Sequence, residues 1–183
     1  LVAFEKAALN QYDLSIPITQ RDEHQLNLLG NCKPSLSIPL GVDLSNQVDA
    51  NDDFEMNLFS IGALDWVPNQ EGLLWFLDNC FPLVLEKFPN VRFKIAGRNA
   101  PGWFIEKLKH PQIDYLGEID DASHFINQNG ILIVPLLSGS GMRVKIIEGM
   151  AHSKPIVTTS VGCEGIADEN RKHILIADDP VEI

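Results

Sequence analysis

A glycine-rich turn followed by two cations and an acid is the part of this chain best suited to chemistry. An apolar run covers residues 131–137, residues 138–141 read Ser-Gly-Ser-Gly, and three charged residues lie within the next seven positions. Glycine lets the backbone come close to a ligand, and a helix start offers unpaired N–H groups and partial positive charge to an anion. The pattern predicts a strand, a turn and a helix start that hold a nucleotide diphosphate. The candidate contacts are Ser138, Gly139, Ser140, Gly141, Arg143, Lys145 and Glu148.

Each residue of this segment also has a plainer interpretation. Gly139 and Gly141 suit any tight turn between a strand and a helix, and Arg143 or Lys145 suits a solvated surface. Cations at a helix start oppose the helix dipole unless an anion lies between them. On a regular helix, positions two apart point about 200° away from each other. We therefore expect only one of the two cations to face a ligand.

Strand and helix patterns alternate from residue 57 onward. Strands are predicted at residues 58–62, 91–97, 113–116, 131–135, 155–158 and 173–176, and helices at residues 70–88, 103–109, 122–127 and 143–151. Pro82 is expected to kink or divide the first of these helices. This alternation predicts an α/β fold with a parallel sheet and helices on both faces. The loops that follow the strands then lie along one edge of the sheet, where open α/β sheets bind ligands.

Other candidates lie in those loops. Gly62, Arg98 and Glu164 are predicted contacts, although Arg98 also suits a solvated loop and Glu164 a helix start. Asn69 is interpreted either as a ligand contact or as a helix cap. Trp66 is interpreted as a packing residue. No Cys/His cluster predicts a metal, and the loop after the first strand, GALDWV, lacks the glycine pattern of NAD enzymes.

Residues 1–50 have a different pattern. We predict a helix ending near Tyr12, a short strand at residues 14–18, a helix at residues 21–29 capped by Thr19, and a strand at residues 36–43. Residues 46–53 are polar and acidic and are interpreted as a linker.

Composition limits the possible partners. The 183 residues have a formal net charge of −11, which argues against nucleic acid and against an anionic membrane surface. A local cationic pocket still remains possible because charges are screened over about 8–10 Å. Cys32, Cys80 and Cys163 are odd in number and far apart, which fits free thiols. No apolar run is long enough for a membrane span, and we expect the chain to be a piece of a longer cytoplasmic protein.

Several segments together resemble the retaining GT-B glycosyltransferases of the "glycosyl transferases group 1" class. The similar pieces are Ile-Pro-Leu-Gly-Val-Asp at 38–43, Gly62, Ile-Ala-Gly at 95–97, Leu-Gly-Glu at 116–118, residues 138–148 and residues 155–165. They occur in the family's order along most of the chain. In such enzymes, two Rossmann-like domains face each other across a cleft, and the C-terminal domain binds the sugar-nucleotide donor.

The resemblance implies that the two parts of the chain belong to domains with different roles. Residues 1–40 would be the tail end of an N-terminal acceptor-side domain, and residues 41–183 a C-terminally truncated donor-binding domain. The nucleotide sugar would be a substrate, with no separate cofactor, and the acceptor would be a glycan or a lipid-linked molecule held by the missing N-terminal domain. Such a bacterial enzyme of polysaccharide biosynthesis would work in the cytoplasm or at the inner face of the membrane. This chain alone is expected to be inactive.

The chain departs from the family pattern in two places. The family often has two Glu residues around the glycine turn; Glu148 resembles the second, which would bind the ribose hydroxyls, but Ser140 stands at the first. The Arg and Lys that the family places after its first donor-domain strand are replaced here by Ala63 and, approximately, Glu71. Arg143 and Lys145 would supply that charge instead. A GT-B nucleotide-sugar epimerase and a non-catalytic Rossmann-like binding module are the alternatives.

Overall fold

A computed structural model describes residues 2–42, 55–139, 141–166 and 173–183 of the chain. The chain divides into two units, Leu1–Val42 and Asp43–Ile183. The predicted linker at 46–53 and Ser140 lie outside the described residues, so their roles stay predictions.

The first unit contains two helices and very little strand. Helix α1 covers Val2–Leu9 and helix α2 covers Gln20–Leu28. Thr19 caps α2 as predicted, since its hydroxyl accepts a hydrogen bond from the Asp22 N–H at 3.0 Å. The strands predicted at 14–18 and 36–43 are absent from the described residues up to 42, where only a single parallel bridge joins Ser15 and Ser35. Two extended segments without further strands do not make a sheet.

Strands and helices alternate along the second unit. The strands described there are β1 Glu55–Ile61, β2 Phe93–Ala96, β3 Ile113–Gly117, β4 Asn129–Val134, β5 Ile156–Thr158 and β6 Ile174–Ile176. The helices are α3 Val67–Trp75, α4 Phe81–Lys87, α5 Gly102–Lys107, α6 Ala122–Gln128 and α7 Val144–Ala151. A π-helical segment, Phe76–Cys80, connects α3 to α4. It ends just before Pro82, which has no N–H to continue the regular hydrogen-bond ladder.

The strands form one parallel sheet in the order β3-β2-β1-β4-β5-β6. Strands β1 and β4 are neighbours although helices and two other strands separate them in sequence. The chain therefore moves outward in one direction from β1 and in the other direction from β4. The gap between the loops that follow these two strands is where open α/β sheets bind ligands.

Helices pack against both faces of this sheet, which confirms the predicted fold class. One cluster of buried side chains joins sheet residues such as Leu58 and Phe93 to Phe76, Phe81 and Phe104. The other joins Phe59, Leu132 and Ile156 to Phe125 and Ile146 from α6 and α7. Successive residues of a strand point to opposite faces, so Leu58 and Phe59 enter different clusters.

The loops at the carboxyl ends of β1 and β2 touch through their backbones. A Cβ added to Gly97 would lie 2.0 Å from the Gly62 carbonyl oxygen. The Leu64 N–H also donates to the Arg98 carbonyl at 2.9 Å. Only glycine fits at position 97, and this contact fixes the β1 loop at the edge of the sheet.

Candidate functional site

A pocket of about 330 Å³ lies between the loop after β1 and the start of α7. This is the gap between β1 and β4 at which the strand order reverses. Its lining residues are Ile61, Gly62, Ala63, Trp66, Asn69, Met142, Arg143, Val144, Lys145 and Glu148. The structure thus brings the predicted candidates Gly62, Arg143, Lys145 and Glu148 together.

The turn before α7 has the backbone that its glycines predict. Gly139 has φ of 110° and Gly141 has φ of 86°, both in the left-handed region that favours glycine. A Cβ added to Gly139 would lie 2.9 Å from Nη2 of Arg143 and 3.3 Å from the Trp66 ring. Gly139 therefore leaves space for the arginine and tryptophan side chains beside the pocket.

Both cations line the pocket, contrary to the expectation that only one would face it. Helix α7 begins at Val144, and Arg143 precedes it with an extended backbone, φ −90° and ψ 99°. The 200° separation of a regular helix does not apply because only Lys145 lies within the helix. The turn therefore directs two positive side chains into one small volume.

The Arg143 guanidinium packs against an aromatic ring. Arg143 is 7% exposed, and its Cζ lies 5.4 Å from the centroid of the Trp66 ring. Burial lowers the pKa of Arg143, whereas the negative charge of Glu164 raises it. The planar guanidinium and the ring face attract each other, so Trp66, expected only to pack, shapes the site.

Lys145 lines the same pocket. Its Nζ donates a hydrogen bond to Oδ1 of Asn69 at 3.0 Å. A Cβ added to Gly62 would lie 2.7 Å from that Nζ, so Gly62 provides the space for the ammonium group. The pKa of Lys145 is lowered to about 8: burial lowers it most, the positive charge of Arg143 also lowers it, and the negative charge of Glu148 partly offsets both.

The remaining candidates lie at different distances from the pocket. Glu148 lines it one helical turn after Lys145. Glu164 acts electrostatically on Arg143 without lining the pocket. Ser138 is exposed and donates to Glu71 Oε2 at 3.3 Å. Arg98 is exposed and also lies outside the lining.

Trp66 and Asn69 are the site residues that sequence reasoning placed least well. Trp66, and not Asn69, is the N-cap residue of α3, so the interpretation of Asn69 as a helix cap is wrong. The two are three positions apart, a spacing that puts side chains on one side of a helix start. That spacing is the only feature of the sequence that could have placed both residues at the site, and it does not indicate which partners they contact.

The arrangement suits an anion with two adjacent negative groups. Two cations and the start of α7 supply positive charge in a pocket of a chain whose formal net charge is −11. Among the described residues, no group of three His, Cys, Asp or Glu side chains is placed to hold a metal ion. In the same part of the chain, no helix is both long and apolar enough to cross a membrane.

Solved structures with similar folds are longer than this chain. Sucrose-phosphate synthase from Thermosynechococcus elongatus has a TM-score of 0.72 at 20% identity, covering 98% of this chain and 48% of its own. Anabaena HepE, solved in complex with UDP-glucose, has a TM-score of 0.71 at 13% identity, covering 99% of this chain and 56% of its own. The second unit therefore has the Rossmann-like architecture of GT-B glycosyltransferases.

The sequence itself matches a curated relative and a family model. A Klebsiella pneumoniae protein, described as an uncharacterized 44.6 kDa protein in the cps region, is 30% identical over 134 residues. That match covers 68% of this chain and 34% of the relative, so the chain spans about a third of the relative's length. The family model for glycosyl transferases group 1 matches residues 55–183, which is more than half of the chain. This chain therefore belongs to the glycosyl transferases group 1 family.

Proposed function

We propose that this chain is the donor-binding part of a glycosyltransferase that moves a sugar from a nucleotide sugar to a glycan or lipid-linked acceptor, with retention. One observation carries the proposal: Arg143 and Lys145 converge in a pocket at the point where the strand order reverses. Family membership and the UDP-glucose complex of HepE support a nucleotide sugar as the ligand.

In the proposed reaction, the diphosphate of the donor lies between the two cations and the start of α7. The bond between the anomeric carbon and the diphosphate oxygen breaks, so negative charge grows on the departing nucleoside diphosphate. The acceptor hydroxyl oxygen forms the new bond to the anomeric carbon, and its proton passes to the departing diphosphate. Positive groups fixed beforehand at that place stabilise the transition state more than the ground state.

The carboxylate of Glu148 is proposed to bind the ribose of the nucleotide. A carboxylate accepts hydrogen bonds from both hydroxyl groups of a vicinal diol. Glu148 lines the pocket beyond Lys145, and its negative charge favours the charged form of that lysine. Gly62 and Gly139 leave the space in which the Lys145 and Arg143 side chains reach the proposed ligand. Gly141, Ser138, Ser140, Arg98 and Glu164 are proposed as contacts at its edge.

We further propose that residues 1–40 belong to the acceptor-side domain. The first unit exposes Phe4, Ile16 and Leu36 at 74%, 57% and 58% of their surfaces. Large apolar side chains gathered on one small unit favour burial against more protein. The chain spans about half of the similar solved structures, which supports a further acceptor-side portion.

Nucleotide binding tests this function directly. A saturating excess of UDP, about 100 times its Kd, is expected to raise the melting temperature of the chain by about 5–10 °C, since only the folded state binds it. Glu148→Gln is expected to weaken UDP roughly tenfold, because a neutral amide accepts a hydrogen bond less strongly than a carboxylate. Calorimetry measures the affinity for UDP of the unaltered chain and of Glu148→Gln.

Glu71→Gln is the matched control, because it removes the same charge from the same edge of the sheet outside the pocket. Equal losses in the two variants would mean that Glu148 acts only through net charge. If no nucleoside diphosphate raised the melting temperature of the chain, the proposal of a donor site would be wrong.

Sugar transfer should require more than this chain. Holding donor and acceptor in reactive geometry supplies a large part of the rate enhancement, and the acceptor-side domain is proposed to lie mainly outside these residues. We expect the 183-residue chain to bind UDP and to transfer no sugar from a panel of nucleotide sugars. The intact protein should transfer the sugar and yield a product in which the anomeric carbon keeps the configuration it has in the donor. Product formed by the short chain alone would mean that the active site lies within it.

A further inference from the structure

The side chain of Asn69 connects the loop after β1 to helix α7, the two parts of the chain that build the pocket. It is buried at 6% exposure near the start of α3. Its Nδ2 donates to the Ala63 carbonyl oxygen at 2.7 Å, and its Oδ1 accepts from Nζ of Lys145 at 3.0 Å. One amide therefore contacts the loop after β1 and a cation of α7, 76 positions away in sequence.

The chemistry of its partners fixes how this amide is oriented. A lysine ammonium only donates hydrogen bonds, and a backbone carbonyl only accepts them. Turning the amide over would point its N–H groups at the ammonium and its oxygen at the Ala63 carbonyl. Both contacts would then be lost inside a buried site, where an unmade hydrogen bond is costly.

The ammonium that Asn69 holds is otherwise at the end of a flexible chain. A lysine side chain loses considerable rotamer entropy when it is fixed. The hydrogen bond to Asn69 and the space left by Gly62 confine its Nζ to one wall of the pocket. The cation is thus already in place before an anion arrives, so binding does not have to order it.

We propose that Asn69 is the positioning residue for Lys145, holding its ammonium where it meets the diphosphate of the donor. This inference rests on the proposed function. It adds a residue of α3 to the residues of α7 that line the pocket, and it assigns the start of α3 a role that the glycine turn alone does not fill.

Neighbouring Gln70 provides a matched comparison. It is also buried, at 7% exposure, and its Nε2 donates to the Leu64 carbonyl at 2.6 Å. Gln70 thus anchors the same loop through the same kind of bond, yet it does not line the pocket. Replacing Gln70 removes the loop anchor, whereas replacing Asn69 removes the anchor and the contact with Lys145 together.

The titration of Lys145 reports on this contact. The charged groups that act on its ammonium are Arg143 and Glu148, and Glu164 acts on Arg143. Asn69→Leu removes the oxygen that accepts a hydrogen bond from the charged Lys145 ammonium, so it lowers the midpoint of the Lys145 titration. Asn69→Asp places a carboxylate beside the same ammonium, so it raises that midpoint. A purely structural residue would not move the midpoint in opposite directions.

The experiment follows the ε-carbon signal of Lys145 by NMR between pH 6 and 11, in the 183-residue chain labelled at lysine. The signal is assigned by its loss in Lys145→Arg. We expect a downward shift of about one pH unit in Asn69→Leu, an upward shift in Asn69→Asp, and the unaltered midpoint in Gln70→Leu. UDP affinity at pH 8, measured by calorimetry, should fall about fivefold in Asn69→Leu, because fewer molecules carry the cation.

The outcomes separate this inference from the function on which it rests. An unchanged Lys145 midpoint in both Asn69 variants, with UDP still bound, would overturn the positioning role and leave the proposed function standing. Equal shifts in Asn69→Leu and Gln70→Leu would assign the effect to loop anchoring and would also overturn it. If the unaltered chain bound neither UDP nor inorganic pyrophosphate, the proposed function would fail and the inference with it.

Discussion

Arg143→Met will weaken the binding of UDP by about 30- to 100-fold and will change the binding of uridine by less than about threefold. An arginine that meets a phosphate makes charge-assisted hydrogen bonds, each contributing about 1.5–3 kcal/mol. Methionine retains apolar volume against the Trp66 ring, on which the guanidinium now packs. The variant therefore removes the charge with little loss of packing. Calorimetry with the two ligands measures the difference.

Lys107→Met is the control for this prediction. Lys107 carries the same charge as Arg143, but it is the last residue of α5, is exposed and lies outside the pocket lining. We expect UDP to bind this variant within about threefold of the unaltered chain, since an exposed charge contributes little. Equal losses of UDP and uridine in Arg143→Met would make Arg143 a structural residue.

UDP affinity will fall as pH rises through the pKa of Lys145. That pKa is lowered to about 8, so the ammonium is mostly charged at pH 7 and mostly neutral at pH 9. A bound diphosphate favours the charged form and raises the pKa in the complex. Binding therefore takes up a proton above pH 8, and affinity should be about tenfold lower at pH 9 than at pH 7. Calorimetry across this range measures the slope.

Lys145→Arg separates this titration from other effects of pH. An arginine stays charged over the whole range, so the variant should show a nearly flat profile between pH 7 and 9. Below about pH 6 the terminal phosphate gains a proton, and affinity should fall in both proteins. A flat profile in the unaltered chain would mean that the Lys145 ammonium does not meet the diphosphate.

The cationic pocket explains how an acidic chain can bind an anion. The formal net charge of −11 is spread over the whole chain, whereas Arg143 and Lys145 lie in one pocket. The effect of exposed charges falls off over about 8–10 Å at ordinary salt concentrations. We therefore expect the charges at the pocket, and not the net charge of the chain, to dominate its affinity for the proposed diphosphate.

The sequence alone determined the fold class of the second unit and the position of the glycine turn beside the pocket. Periodicity distinguishes strands from helices because each has its own repeat of apolar residues. The alternation of strand and helix predicted a parallel sheet, and the six parallel strands confirm it. The run from Ser138 to Glu148 indicated the glycine turn before α7, because turn chemistry is local. These features depend on residues close together in the chain.

Only the tertiary structure decided how the site is assembled. It showed that Arg143 and Lys145 share the pocket, because Arg143 lies outside the helix. It paired Trp66 with Arg143 and Asn69 with Lys145, partners more than 70 positions apart that no local pattern connects. It also replaced the two strands predicted within residues 1–43 by a single bridge. Residues 15–17 and 34–38 share three backbone hydrogen bonds, and contacts distant in sequence decide how far such a pairing extends.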